Sequence, residues 1–410
     1  MKIRYIAHVT IEADTPLKVG SADSDFLKDS PIQRDWNGLP MILGTSIAGV
    51  LRKDFKGNDD EIFGKEDGSK VIFSNALLLD EKREVNEGLL IEKSSFLKLF
   101  DNLPLREHTA ITDKGVAKEH SKFDEEVVYK GSQFKFSIEM LEDKNAFDSL
   151  LELLQSPSFR LGGGSTKGFG KFKILEITTT TIKSPQQLVD YSSSLNSQLT
   201  EKVALSTTKS QTHTQYTLNI TPDDFFMFGS GFGDEDSDQT PVYERLIDYD
   251  KRGLSDKHIL MPASSIKGAL AHRTTYHYNL QNELYIGNLE AKNAIAELFG
   301  EAKKSDEELG NRGKVLFSDA YKTNSDTTKV FEHVAIDRFT GGGINGALFQ
   351  EKTIAQKDEW EIEILVENSV EEVFIRAFEK SLDDVCSGML SLGGMTTKGH
   401  GVFSGTWSKS

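Results

Sequence analysis

Two halves of the chain carry the same short segments in the same order, so whatever fold they encode must occur twice. "RLGGGSTKGFGKF" (Arg160 to Phe172) and "SLGGMTTKGHGVF" (Ser391 to Phe403) share Gly-Gly, Thr-Lys-Gly and a glycine before an apolar strand. "KIRYIAHVTIEADTP" places Ile3, Tyr5, Ala7, Val9 and Ile11 on one side of a period-two strand, and "QYTLNITP" repeats this with Tyr216, Leu218 and Ile220. Both strands lead to Gly-Ser, at Gly20 and Gly229. "LGTSIAGVLR" and "MPASSIKGALAHR" pair Ser46 with Ser265 and Gly49 with Gly268. "EIFG…GSKVIFSNA" and "ELFG…RGKVLFSDA" pair Phe63 with Phe299 and Phe73 with Phe317, while "EHTAITD" and "EHVAIDR" pair His108 with His333. Matched segments about 205 to 245 residues apart indicate duplication of a whole domain, a period too long for a solenoid unit.

Each copy reads as strand, acidic loop, helix, strand, hairpin-like insertion, helix, glycine loop and last strand. A Ser before apolar residues at helical spacing predicts an N-capped helix with a free amide end at Ser46 and at Ser265. Alternating strands and helices around a mostly antiparallel sheet predict an α+β fold of the ferredoxin-like, RNA-recognition (RRM-like) kind, present in tandem. The Ser-, Thr- and Gln-rich stretch between the copies reads as a linker with room for one short helix. The expected division is 1–180, a linker over 181–210, and 211–410, with the boundary near Thr200.

A length of 410 residues suits two domains. The net charge of −16 argues against indiscriminate coating of nucleic acid but leaves room for a narrow basic track. Acidic runs such as "GDEDSDQ" and "KSDEEL" read as solvated loops, with metal binding as the alternative. Cys386 is the only cysteine, which removes an internal disulfide and a Cys-based zinc site. No apolar run has the ~18 residues a membrane span needs, and the start of the chain alternates where a signal peptide is continuously apolar, so the expected location is cytoplasmic, without membrane contact.

"GLPMILGTSIAGVLR", "MPASSIKGALAHR", "HVAIDRFTGGGINGALF" and the two glycine loops together resemble the RAMP superfamily of CRISPR-associated proteins. The likeness is greatest to Cas7-type backbone subunits of type III effector complexes, and the tandem arrangement resembles the fused double-Cas7 subunits of type III-D-like systems. The resemblance implies two RAMP domains, each with an inserted β-hairpin thumb and a C-terminal glycine-rich loop. It also implies a subunit that grips crRNA along its backbone, meets complementary target RNA and stacks with other Cas subunits of the Cas7, Cas5, Cas10 and Cas11 types. Helix N-termini and glycine-rich turns offer amides to anions, so phosphate contacts are expected from Ser46, Ser265 and Lys267 and from the loops Gly162, Gly163, Gly164 to Lys167 and Gly393, Gly394 to Lys398. Lys171 and Arg273 extend the basic track. In the second thumb Arg338 suits phosphate and Phe339 or Phe349 suits wedging between bases; the first thumb offers Lys114.

Type III Cas7 subunits that cut target RNA use an Asp after the first strand, and "KDSPIQRDWNGLP" places that position on Asp29, with Asp25 and Asp35 nearby. The resemblance implies an Asp29 that holds a divalent ion, Mg²⁺ or Mn²⁺, or orients the target's 2′-hydroxyl. In "DEDSDQTPVYERL", alignment on the proline puts Gln239 at the equivalent place, and a one-residue shift brings Asp238 there. The first copy also lacks the family's Pro and Lys at Leu43 and Ala48. The alternatives are a Cas6-like crRNA-processing endonuclease using His8, His272 or His277, and a catalytically silent backbone subunit.

Overall fold

A computed structural model of the chain describes residues 1–21, 31–65, 68–112, 117–205, 210, 212–285, 289–301, 310–325 and 327–410. The alternating segment forms β1 (Arg4–Ala13), followed by α1 (Gly44–Asp54) and β2 (Val71–Phe73). A long hairpin, β3 (Leu105–Ile111) and β4 (Ala117–Glu126), precedes β5 (Gln133–Leu141), α2 (Lys144–Leu154) and β6 (Phe172–Ile182). The sheet runs β2-β5-β1-β6, antiparallel throughout, with short strands added at its edges. In register, Ala7 faces Ile138 and Val9 faces Phe136, so one face of β1 and β5 is fully buried under Ile47, Leu51, Leu150 and Leu154 of the two helices. Asp143 starts α2 by accepting a hydrogen bond from the Ala146 amide at 2.9 Å, and the apolar spacing of Phe147, Leu150, Leu151 and Leu154 turns one stripe inward.

The opposite face of β1 is covered as well, with Ile6 and His8 each only 1% exposed. The chain beyond β6 covers them. A helix (Pro185–Asp190) closed by a Ser184–Gln187 capping box leads to Leu195, which is buried with the first core, and Asn196, whose side chain holds the Val85 amide and carbonyl at 2.8 Å each. Residues 201–202 then add a strand to β6.

The second unit repeats the order: β7 (His213–Pro222), a small hairpin of β8 (Ile247–Asp248) and β9 (Gly253–Leu254), α3 (Ala263–Gln281), β10 (Val315–Phe317), a long hairpin of β11 (Thr328–Ile336) and β12 (Gly343–Ile354), β13 (Trp360–Glu367), α4 (Glu372–Cys386) and β14 (Phe403–Lys409). Its four-stranded sheet runs β10-β13-β7-β14, again antiparallel, the same order as β2-β5-β1-β6. Among the described residues no helix is long and apolar enough to cross a membrane.

The units are locked together by buried polar chemistry. Arg106 of β3 reaches Asp319 at 2.6 Å, Glu244 at 2.5 Å and the Tyr321 hydroxyl at 2.8 Å. Burial works against its charge, but Asp319 and Glu244 outweigh that and raise its pKa well above the ordinary value. Tyr249, at the tip of the β8–β9 hairpin, is inserted into the first core beside Phe96, donates to the Leu79 carbonyl at 2.9 Å and accepts from the Gln133 amide at 3.2 Å.

Candidate nucleic-acid interface

Both glycine loops contain one 3-10 turn, Ser165–Lys167 and Thr396–Lys398. Each crosses the chain that leaves the first strand of its unit. At Gly162 (φ 84°) and Gly393 (φ 94°) a Cβ would lie 2.3 Å from the Lys18 carbonyl oxygen and 2.4 Å from that of Met227, so only glycine fits. The next amides close the contact, Gly163 donating to Lys18 and Gly394 to Met227, each at 2.7 Å. These amides are therefore spent on protein. What the loops offer outward is side chains, Lys167 and Lys398 above all.

The helix starts differ from expectation. Ser46 and Ser265 are not caps but the third residues of α1 and α3; the cap positions are Leu43 and Pro262, and neither side chain caps. The serine amides donate to the Leu43 and Pro262 carbonyls at 2.9 and 3.0 Å. The first amide of each helix is taken by a side chain from the turn after the second strand, Gly44 by Asn75 at 2.9 Å and Ala263 by buried Asp319 at 2.8 Å. A cap supplied from a distant segment leaves no local signature, which is why the serines drew the assignment.

The first glycine loop is wedged into the seam between units. Gly168 (φ 110°) lies so close to Ala263 that an added Cβ would sit 2.5 Å from that side chain. Here Lys267 of α3 donates to Thr166 Oγ1 at 3.0 Å, and among the described residues no carboxylate pairs with it. Burial and the neighbouring Lys167 push its pKa down to about 8. Two ammonium groups brought together, one of them with only a hydroxyl partner, make an unfavourable arrangement that an anion relieves.

Four of the other expected cations are already paired. Lys171 bridges Asp14 and Glu363 at 3.1 Å each, tying the first unit to the second. Arg273 pairs with Asp384 and lies 4.7 Å over the Tyr276 ring. Lys398 contacts buried Glu351 at 3.2 Å and lies 4.2 Å over Phe349. Lys167 is 4.0 Å from Glu125. Arg338 and Phe339 occupy the tip of the second hairpin, where Asp337 accepts from the Phe339 and Thr340 amides at 2.9 and 2.7 Å; Phe339 is 98% exposed. Phe349 instead stacks on His333 at the hairpin root, 4.9 Å between centroids.

The RAMP superfamily model matches residues 10–173 and again residues 207–404. The chain belongs to the RAMP superfamily. Membership makes it a CRISPR-associated, RNA-binding type of protein, with one repeat in each unit. No curated protein matched the chain.

Within this RAMP protein, Asp25, Asp29, Lys114 and the run "KSDEEL" lie outside the described residues. The described flanks of the two acidic loops can be compared. Gly20 bridges Ile32 and Ser21 donates to Pro31, while Gly229 bridges Pro241 and Ser230 donates to Thr240. The spacing is the same in both, so Ile32 corresponds to Pro241 and the two prolines are not equivalent; counted back along the sequence, Asp29 aligns with Asp238 rather than with Gln239. Asp238 is exposed, and its Oδ2 accepts from the Gln350 amide at 2.7 Å, joining the loop to the root of the second hairpin. The first hairpin also touches this loop, with Lys122 lying 5.4 Å over Phe232. Among the described residues no group of three or more His, Cys, Asp or Glu side chains is arranged to hold a metal ion, so the metal set expected around Asp29 has no described counterpart around Asp238.

Of the histidines weighed for RNA processing, His8 is buried and neutral, its pKa lowered to about 4 by burial and by Lys135. His277 is tied to Asp384 at 2.6 Å, and His272 is exposed on α3. Thr166, Glu125, Glu351 and Arg106 were not singled out from sequence. A signal existed for the glutamates, since "KFDEEV" and "ALFQEKT" set Phe123-Asp124-Glu125 beside Phe349-Gln350-Glu351.

Proposed function

We propose that this RAMP protein is a crRNA-binding, fused double-Cas7-like backbone subunit of a type III CRISPR effector complex. The strand order shared by the two sheets supports a ferredoxin-like class for both domains, taken as 1–180 and 211–410 joined by 181–210. The observation that carries the reading is the seam between them: Lys267, without a carboxylate partner, beside Thr166 and Lys167 of the first glycine loop. A guide-RNA phosphate fits that pair, and base pairing by the guide supplies the sequence specificity that a short basic seam lacks. The hairpins serve as thumbs, with exposed Phe339 wedging into the guide–target duplex. Purified Lys267→Glu protein is expected to retain far less guide RNA than wild type at an unchanged melting temperature. Equal guide content in the two preparations would contradict the reading.

Target cleavage belongs to the same proposal. Asp29, and Asp238 at the matching position, would orient the target's 2′-hydroxyl for attack on the adjacent phosphate; the 5′-oxygen leaves, giving a 2′,3′-cyclic phosphate and a 5′-hydroxyl. A divalent ion, Mg²⁺ or Mn²⁺, would be held at Asp29, which lies outside the described residues, and would supply charge stabilisation at the phosphate. Incubating the assembled complex with complementary RNA, with Mg²⁺, Mn²⁺ or chelator, tests the activity. Each of Asp29→Ala and Asp238→Ala is expected to erase one cut. Uncut target throughout would leave a silent backbone subunit, and cleavage of guide precursor by the isolated chain would favour the Cas6-like alternative, against which buried His8 and paired His277 already weigh.

A further inference from the structure

One side-chain arrangement occurs in both units and has no role so far. In the first hairpin His108 faces Phe123 and Arg106 faces Glu125; in the second His333 faces Phe349 and Phe331 faces Glu351, the same register. Each glutamate thus lies diagonally across from a histidine. Glu125 Oε2 is 3.1 Å from His108 Nε2, and Glu351 Oε1 is 2.9 Å from His333 Nε2, ion-pair contacts without hydrogen-bond alignment. The glycine-loop lysine completes each cluster. Lys167 is 4.0 Å from Glu125 and 5.1 Å over Phe123; Lys398 is 3.2 Å from Glu351 and 4.2 Å over Phe349. A third partner differs between copies, Lys18 at 2.5 Å from Glu125 and His400 Nε2 at 3.0 Å from Glu351. The glutamate side chains are 6% and 0% exposed, and although burial opposes ionisation their cationic partners keep both pKa values low, Glu125 at about 2.

A carboxylate this buried is costly unless it organises its partners. Here it fastens the root of a hairpin to the loop that carries a phosphate-facing lysine. A lysine side chain loses rotamer freedom when fixed, and a carboxylate on one side with an aromatic face on the other meets that cost before the ligand arrives. Of the three ammonium donors, one suffices for the glutamate and the rest remain for phosphate oxygens.

We propose that Glu125 and Glu351 are positioning residues that set Lys167 and Lys398 at the RNA backbone and tie each thumb to that contact. The proposal rests on the RNA-binding reading given above.

The test is a double-mutant cycle on the full chain, read by fluorescence anisotropy with a labelled single-stranded RNA, with melting temperatures measured alongside. Lys398→Ala should weaken binding about tenfold, Glu351→Gln by a similar factor, and the double variant no further than Lys398→Ala alone. Losses that multiply in the double variant would reveal a merely structural glutamate and overturn the proposal, as would wild-type affinity in Glu351→Gln. Should Glu351→Gln fold poorly, Glu125→Gln with Lys167→Ala repeats the cycle where Lys18 still pairs the carboxamide. Wild-type protein that binds no RNA at all would sink the RNA reading itself, an outcome distinct from either pattern of the cycle.

Discussion

The two glycine loops have nearly the same sequence and a buried glutamate beside each, but the first also meets a lysine of the other unit. Both cross a carbonyl that only glycine allows, at Gly162 and at Gly393, and both end in a Thr-Lys turn. The first, however, is wedged beneath the start of α3, where Lys267 joins Lys167 and Thr166. The second has Lys398, His333 and His400 gathered around Glu351, as Lys167, His108 and Lys18 gather around Glu125, with no such added lysine paired to its threonines among the described residues. The glycine pattern therefore fixes a backbone path, and the neighbouring unit decides the charge presented there. An anion is called for at the seam because the first unit's loop meets a lysine that its own helix start, with Ala48 at that place, does not supply.

The comparison can be broken most forcefully at Arg106, which the second unit replaces with Phe331 at the matching position. Arg106→Ala leaves Asp319 and Glu244 buried without their cation and is expected to cost about 3–5 kcal/mol, read as a lower denaturant midpoint and faster proteolysis between the units. Next in size is charge reversal at the two loops. Lys267→Glu should lower RNA affinity by about a hundredfold and Lys398→Glu by about tenfold, with the salt dependence reduced in both; equal losses would remove the distinction between seam and second loop.

Lys267 also gives the seam a pH signature. Its folded-state pKa of about 8 lies below the ordinary 10.5. Between those values the unfolded chain binds the proton and the folded chain does not, so RNA-free stability rises with pH across that window. RNA affinity moves the other way, falling above about pH 8 as the ammonium is lost, and Lys267→Arg should abolish the fall because guanidinium stays charged. Anisotropy titrations from pH 7 to 9 on both proteins check this.

Smaller effects test the shared backbone. Gly162→Ala and Gly393→Ala should each cost about 1–3 kcal/mol in thermal unfolding, and by similar amounts, since both insert a Cβ against a carbonyl in a left-handed conformation. Smallest is Met395→Gly. Met395 holds φ 57° where the first loop has Gly164, so the change should stabilise the second unit by less than about 1 kcal/mol, relieved strain being offset by chain entropy.

Much of the fold was legible because periodicity and repetition are local. The alternation in β1 and β7, the helical stripe of α4 and the matched hairpins all stand in short segments. Where the chain reaches across itself, sequence was mute. Asn75 and Asp319 cap helices from after the next strand, Asn196 closes the far face of the first sheet, and Tyr249 fills a core more than a hundred residues away. The candidate site divides in the same way. Lys267 and the loop lysines were visible as residue types, but the companionship of Lys267 with Thr166 and the reach of Lys171 to Glu363 depend on how the units meet, and the pairing of Arg273 with Asp384 on how α3 packs against α4. Loop register stayed open between Gln239 and Asp238 for a related reason: the proline common to "SPIQ" and "TPVY" is a local anchor, whereas the loop's flanks are paired by hydrogen bonds that the sequence does not show.

The central claim is that an RNA phosphate sits between the two units. A cryo-electron microscopy map of the protein bound to guide RNA, resolved well enough to place individual phosphates, tests it directly. The account predicts a phosphate within hydrogen-bond reach of the Lys267 ammonium and the Thr166 hydroxyl, with the strand continuing past Lys398. A strand that follows another face of the protein, leaving Lys267 without an anion, would contradict it.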